Sequence, residues 1–365
     1  MRILLAVSGG IDSMYLANRA PELFPGASFA VAHCNFNLRG SESDSDEAFV
    51  REWCESHAME CFVTHFDTAA YAAANGISIE MAARELRYDW FAEICRTHGF
   101  DALATAHNAN DNAETLMLNL LRGTGTRGIR GMSPASAVLA AGCGYPRGES
   151  KDSPEFADSQ IPSISFDPTI PLRCMVPPLP CRGRHAPAEE CRSQLCLLRP
   201  MLNTSREDIE KWMRSKGYAW HEDSTNALSE YKRNKLRNDV FPIFKEINPS
   251  FVQTLGADMA RFAQVDDIAE DYYQEALASG VLDKEKGEIP VKSLLSLKHW
   301  RYVLWRLLEG CGLSQPTFEK LVSLLQRYKD CPSGTVTLSG KVFESPTHSI
   351  VAVGKRLRIV PNPNL

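Results

Sequence analysis

Residues 3–17 read ILLAVSGGIDSMYLA, and this stretch decides the fold. Ile3-Leu4-Leu5-Ala6-Val7 is short, apolar and uncharged, which is the pattern of a strand buried on both faces of a parallel sheet. Ser8-Gly9-Gly10 follows with almost no side chain, and Asp12 and Ser13 are placed to cap a helix carrying Met14, Leu16 and Ala17. A strand, a glycine turn and a helix in that order leave backbone N–H groups at a helix N-terminus, where they favour an anion. The alternative is an ordinary glycine turn.

Working outward, strands and helices alternate over the first 130 residues. The spacing predicts strands at 28–33, 61–66 and 101–106 and helices near 12–20, 43–57, 78–98 and 110–122, with Gly99 ending the long one. Alternation of this kind means a parallel α/β sheet with right-handed crossovers, whose ligands sit at the carboxyl ends of the strands. Ser8, His33 and His107 all fall at such ends. Residues 135–196 break the pattern: they are rich in proline and cysteine and read as a surface insertion. Cys174, Cys181, Cys191 and Cys196 lie there at spacings that fit no common zinc site. Order resumes at 197–202. A capping signature at Thr204–Asp208 opens a helix that Gly217 closes. Residues 250–330 read as mostly helical, and 335–338, 349–353 and 357–360 as short strands.

Composition excludes several classes. With 44% hydrophobic and 23% charged residues the chain is an ordinary globular protein. No signal peptide and no apolar run long enough to span a bilayer is read, so the expected compartment is the cytoplasm, without a membrane partner. Eleven cysteines form no Cys-x-x-Cys pair and are read as free thiols. The net charge of -5 hides a local excess, because Lys232, Arg233, Lys235, Arg237 and Lys245 face one acid, Asp239.

The loop lacks both the Gly-x-x-x-x-Gly-Lys and the Gly-x-Gly-x-x-Gly patterns. Ser8-Gly9-Gly10-Ile11-Asp12-Ser13 instead resembles the pyrophosphate loop (PP-loop) of the N-type ATP pyrophosphatases. Four further stretches, HCNFNLRGSESDSDEAF (33–49), EMAARELRYDWF (80–91), ATAHNANDNAETLMLNLLRGTG (104–125) and RPMLNTSREDIEKWMRSKGYAWHEDSTN with RNKLRNDVFP (199–226 and 233–242), follow in order. Together they resemble the tRNA(Ile)-lysidine synthetases, closely over 1–134 and 197–250 and loosely over 251–360. That resemblance implies a Rossmann-like adenylating domain over 1–220 carrying the insertion, a helical tRNA-binding domain over 221–332 and a C-terminal β segment over 333–365. It implies ATP and Mg²⁺ as cofactors, and free lysine and the CAU-anticodon isoleucine tRNA as substrates. Lysine is joined through an adenylate on the wobble cytosine, changing codon reading from AUG to AUA. A homodimer is also implied.

On the residues themselves, His107, Asp111 and Glu114 fall within two turns at a helix N-terminus, the two carboxylates at i, i+3 on one face. Paired carboxylates beside a phosphate site hold Mg²⁺ or grip an ammonium; helix capping with a solvated face is the alternative. The resemblance sets Asp111 and Glu114 near lysine and the base, with Asp12 close by, and Mg²⁺ near Asp12 and Asp111. Arg84 and Arg87, also i, i+3, can neutralise charge developing on the α-phosphate, or pair with Glu80 or Glu85 at the surface. The nucleotide is assigned to Ser8, Gly9, Gly10, Ile11, Asp12, Ser13, His33 and His107, with His33 reading equally well as a satisfied core histidine. Asn35, Phe36 and Asn37 replace a pair often seen in the family and receive no role. The resemblance sets Arg199, Arg233 and Arg237 at the tRNA face; Arg122 and Arg127, in a flexible basic loop, can approach RNA or simply end the helix, and Lys232 of the basic run can contact tRNA phosphate or belong to a solvated face. Tyr231 and Trp220 can stack on unpaired bases, and Trp220 can equally pack the core.

Rival readings fail on missing parts. Sulfur-inserting tRNA enzymes with this loop need paired cysteines, glutamine-dependent relatives need a glutaminase half, and NAD synthetases carry no tRNA-binding appendage. A non-catalytic RNA-binding module has no use for Asp12, Asp111 and Glu114.

Overall fold

The computed structural model describes residues 1–138, 195–222, 232–283, 286–331 and 337–362. They group into two compact units that divide at Asp266/Asp267.

In the first unit the opening stretch forms β1 (Arg2–Ala6) and α1 (Ile11–Leu23). The alternation continues as β2 (Ser28–Asn35), α2 (Ser41–Ser56), β3 (Glu60–His65), α3 (Thr68–Asn75), α4 (Ile79–His98), β4 (Ala102–Ala104) and α5 (Ala109–Arg122). The short helix α6 (Thr126–Ile129), strands β5 (Ala135–Val138) and β6 (Leu195–Leu198) and helix α7 (Arg206–Lys216) follow. The six strands lie in the order β3-β2-β1-β4-β6-β5, parallel except for β5, which runs antiparallel to β6. The expected parallel α/β fold is therefore present. Successive β1 side chains face opposite layers. Ile3 and Leu5 pack with Met14, Leu16, Ile209 and Met213, whereas Leu4 packs with Phe91, Ile94 and Leu197. Sheet-covering helices on both faces explain why β1 reads as an unbroken apolar run. The chain runs outward from β1 through β2 to β3 and then crosses back to β4 on the other side of β1, which makes the carboxyl ends of β1 and β4 the topological switch point of the sheet.

The structure differs from the sequence reading in particular places. The insertion was expected to begin at 135 and end at 196, but Ala135–Val138 pair with Leu195–Leu198 in the sheet. Four-residue strands carry too little periodicity to be read from sequence. Residues 139–194, with Cys174, Cys181 and Cys191, lie outside the described residues, as does Tyr231. Cys196 is a core residue whose thiol is pushed up to about 11 by burial. The helix α3 was not anticipated, because its alanine-rich run has no distinct apolar face.

Boundaries were expected at 220 and 332. Residues 232–252 stay with the first unit because Leu236, Phe241, Phe251 and Val252 share a cluster with Ala113 and Leu118 of α5. The second unit has a four-stranded antiparallel sheet, β7 (Glu288–Pro290), β8 (Val342–Glu344), β9 (His348–Val353) and β10 (Arg356–Pro361), in the order β7-β10-β9-β8. Helices Trp300–Leu308 and Gln315–Asp330 share one core with it, built on Leu304, Leu321, Leu325, Ile350 and Leu357. The C-terminal strands thus complete the helical segment and do not stand apart. The strand expected at 335–338 is irregular at Thr337 and Leu338. Among the described residues no helix is long and apolar enough to cross a membrane.

Candidate active site

The loop after β1 is open to an anion. Gly9 adopts φ +93°, a left-handed turn that favours glycine. The helix begins at Ile11 with Gly10 as N-cap and no side-chain cap. Asp12 and Ser13 were expected to cap it, but both lie inside its first turn. Ser13 Oγ donates to the Gly10 carbonyl (2.8 Å) and accepts from the Ser8 N–H (3.1 Å), so it braces the loop. With no side chain over the first turn, its N–H groups stay available to a ligand.

Asp12 points away from those N–H groups. Its carboxylate accepts from Asn108 Nδ2 at 3.0 Å and from Arg206 Nη1 at 2.5 Å. Burial raises the Asp12 pKa, opposed by Arg206 and reinforced by the nearby Asp111 carboxylate. Asn108 is the N-cap of α5 and forms a reciprocal capping box with Asp111 (both bonds 3.0 Å). Asp111 therefore does serve as a cap, and also carries a second contact. Arg237 Nη2 donates to Asp111 Oδ1 at 3.2 Å, and Arg237 Nε donates to Glu114 Oε1 at 2.8 Å. Glu114 is 0% exposed, and burial raises its pKa against the pull of Arg237. Arg233 Nε stands 3.7 Å from Glu114 Oε2, while its Nη2 donates to Thr115 Oγ1 (2.9 Å). The i, i+4 spacing of Arg233 and Arg237 turns both onto α5.

His107 follows β4 and shares a hydrogen bond with Thr105 Oγ1 (2.9 Å). Burial holds its pKa well below the ordinary value, and the charges of Arg199, Arg233, Arg84 and Arg87 act in the same direction. Both effects favour the neutral imidazole. Arg84 lies over the Tyr88 ring (4.9 Å) and Arg87 over Phe36 (5.0 Å), so both are braced on aromatic faces.

Other assignments need correction. Arg199 is 4% exposed and donates to the Ser133 carbonyl (2.8 Å) and Ser136 Oγ (3.0 Å), so it is an interior strut from the end of β6 to β5 and the residues just before it, and not a surface contact for RNA. Arg233 and Arg237 likewise sit on carboxylates, whereas Lys232, Lys235 and Lys245 are exposed, Lys245 paired with Glu207 at 3.2 Å. His33 is buried, its Nδ1 bonded to the Val7 carbonyl at 2.9 Å, with burial lowering its pKa. It supports the end of β1 from below. Trp220 packs against the β1 core and donates to Glu222 (3.0 Å), which is the core alternative. Arg122 is exposed in the last turn of α5, about 16 Å along the helix from Asp111. Arg127 is half-buried in α6.

The PP-loop domain family matches residues 1–146 and 172–244. A tRNA(Ile)-lysidine synthase of Chlorobaculum tepidum is 32% identical over 325 residues, covering 86% of this chain and 78% of that protein. The chain belongs to the tRNA(Ile)-lysidine synthase family. Synthases of this name from Parabacteroides distasonis and Porphyromonas gingivalis are 32% and 30% identical over 349 and 364 residues. Those matches cover 96% and 98% of this chain but 63% of each relative, so the chain spans about 63% of their length.

Within this member of the tRNA(Ile)-lysidine synthase family, sequence reasoning missed Asn108 and Arg206. Asn108 was legible, since Asn-x-x-Asp before an apolar run is a capping signature. Arg206 carried a fainter signal. A cation at the first position of a helix opposes the macrodipole and calls for a carboxylate partner. That partner, Asp12, is 194 residues away in the chain.

Proposed function

We propose that this protein uses ATP to join free lysine to the wobble cytosine of the CAU anticodon of tRNA(Ile), giving lysidine. The base carbonyl oxygen attacks the α-phosphate, pyrophosphate leaves, and an amine of lysine then displaces AMP from the adenylated base. The anticodon thereby changes from reading AUG to reading AUA.

The observation that carries this reading is the meeting of two opposite sites at one switch point. The uncapped N-terminus of α1 takes the outer phosphates. Arg84 and Arg87, whose charges reach His107, stabilise charge developing on the α-phosphate. Beside it, Arg237 occupies Asp111 and Glu114, and Asp111, the partly exposed carboxylate of the two, is the one offered to a lysine ammonium. Lysine has two amines, and gripping one as a cation leaves the other to attack. Mg²⁺ fits this donor set, because it takes one or two carboxylates together with phosphate oxygens, and Asn108 bridges Asp12 and Asp111 with a 3.0 Å bond to each. Those two residues would hold it, and when bound it neutralises phosphate charge. Lys232 and Lys235, exposed beside the site, are assigned to tRNA phosphates.

The test is pyrophosphate release and labelled-lysine incorporation with ATP and purified tRNA. Both are expected only with the CAU-anticodon isoleucine tRNA, and an Asp111→Asn or Glu114→Gln variant should lose lysine incorporation. Equal incorporation of ammonia or sulfide in place of lysine overturns the proposal.

A further inference from the structure

The turn at Gly9 is held from outside the loop. A glycine at φ +93° has no side chain with which to fix itself, and the loop's N–H groups converge on one point only while that turn is kept. The hold comes from His221, in the segment after α7. Its N–H donates to the Gly9 carbonyl at 3.0 Å, and it forms an isolated parallel bridge with Gly10. That segment belongs to no strand of the sheet, so another force must keep His221 in place. Its side chain supplies two contacts, both to α2. Nδ1 donates to Asp46 Oδ1 at 2.8 Å, and the imidazole stacks on Phe49 with centroids 4.4 Å apart at 21°. The second Asp46 oxygen accepts from Arg39 Nη2 at 2.8 Å. Arg39 precedes α2, in the loop after β2. Asp46 also lies directly against the turn, since a side chain added at Gly9 would meet its Cβ at 3.7 Å.

We infer that His221 is a positioning residue of the nucleotide site. Through Asp46 and Arg39 it ties the loop after β2 to the loop after β1, and through its own backbone it fixes the Gly9 turn in the form that receives phosphate. The inference rests on the PP-loop reading of the proposed function. His221 touches no reacting atom; it acts through the loop.

The test uses the full chain with ATP as probe, and compares His221→Ala, His221→Phe and His221→Asn. Asparagine places an N–H donor where the imidazole Nδ1 stands, so it restores the bond to Asp46. Phenylalanine keeps the ring on Phe49 and loses that bond. Loss of a hydrogen bond to a carboxylate should weaken ATP binding about tenfold in the alanine and phenylalanine variants. The asparagine variant should recover most of it. In pyrophosphate release the effect should fall on KM for ATP and leave kcat nearly unchanged, with the melting temperature close to that of the unsubstituted protein. If the alanine variant does not fold, the phenylalanine and asparagine pair decides. Wild-type ATP affinity in the phenylalanine variant, or equal loss in the phenylalanine and asparagine variants, overturns the inference. Failure of the unsubstituted protein to bind ATP overturns the nucleotide reading instead.

Discussion

Glu114 is the residue on which the site balances. It is wholly buried, and a buried carboxylate is costly unless paired. Arg237 is its main partner. Replacing Arg237 with alanine should cost about 2 kcal/mol of stability, below the roughly 3–5 kcal/mol of a fully buried broken pair, because Arg233 remains 3.7 Å from Glu114 and Arg237 is partly solvated. Urea unfolding checks this, and Glu114→Gln added to Arg237→Ala should recover much of the loss. No recovery in the double variant would mean that Arg237 stabilises by packing alone. His107 supports a second prediction at this scale. Its folded pKa lies well below 6.5, so below pH 6.5 the unfolded chain binds a proton that the fold refuses. Stability is fully present above pH 6.5 and is lost as pH falls, by up to about 1.4 kcal/mol per pH unit. His33, also lowered, adds in the same direction. Unfolding curves at pH 7 and pH 5.5 should show the drop, and His107→Gln should make it shallower.

Among the elements, helix Lys232–Lys235 with the following π turn Leu236–Val240 shows how one run of charge divides. Arg233 and Arg237 turn inward onto α5, and Lys232 and Lys235 stay in water. The four cations look equivalent in sequence, but the helical period separates them. The two lysines alone should therefore contact tRNA phosphate. Alanine at both should weaken binding of any tRNA about equally and lower the salt slope by roughly two units. An unchanged slope in a folded double variant would make this face merely solvated. ATP affinity should not change.

For the whole molecule, the pairing of Val138 with Leu195 settles where residues 139–194 join the fold. The two strands are antiparallel neighbours, a geometry that a short turn closes. Replacing 139–194 with a short turn should leave the protein folded and able to bind ATP, measured by calorimetry. A cut from 135 to 196 should not, because it removes β5 and half of β6 and strips Arg199 of its acceptor at Ser136. Equal behaviour of the two deletions would show that the β5–β6 pair contributes nothing to the site.

The sequence by itself determined the parallel α/β core, because uninterrupted apolar runs, glycine stops and caps act within a few residues of one another. It also marked the loop at Ser8–Ser13 and the carboxylates Asp111 and Glu114, whose spacing on one helix is a local property. The partners of those groups were decided only by the tertiary structure. Arg206 meets Asp12, Arg237 meets Glu114 and His221 meets Asp46 across separations of 194, 123 and 175 residues. No periodicity connects such positions. Each pair exists because helices packed on the sheet bring its members to the carboxyl end of β1. Burial there turns a surface charge into one that needs a partner. For the same reason Arg199, read as tRNA-facing, became an interior strut, and His33 took the core place that was one of its two readings. Residue type shows what a side chain can bind, whereas the packing around it fixes which partner it reaches.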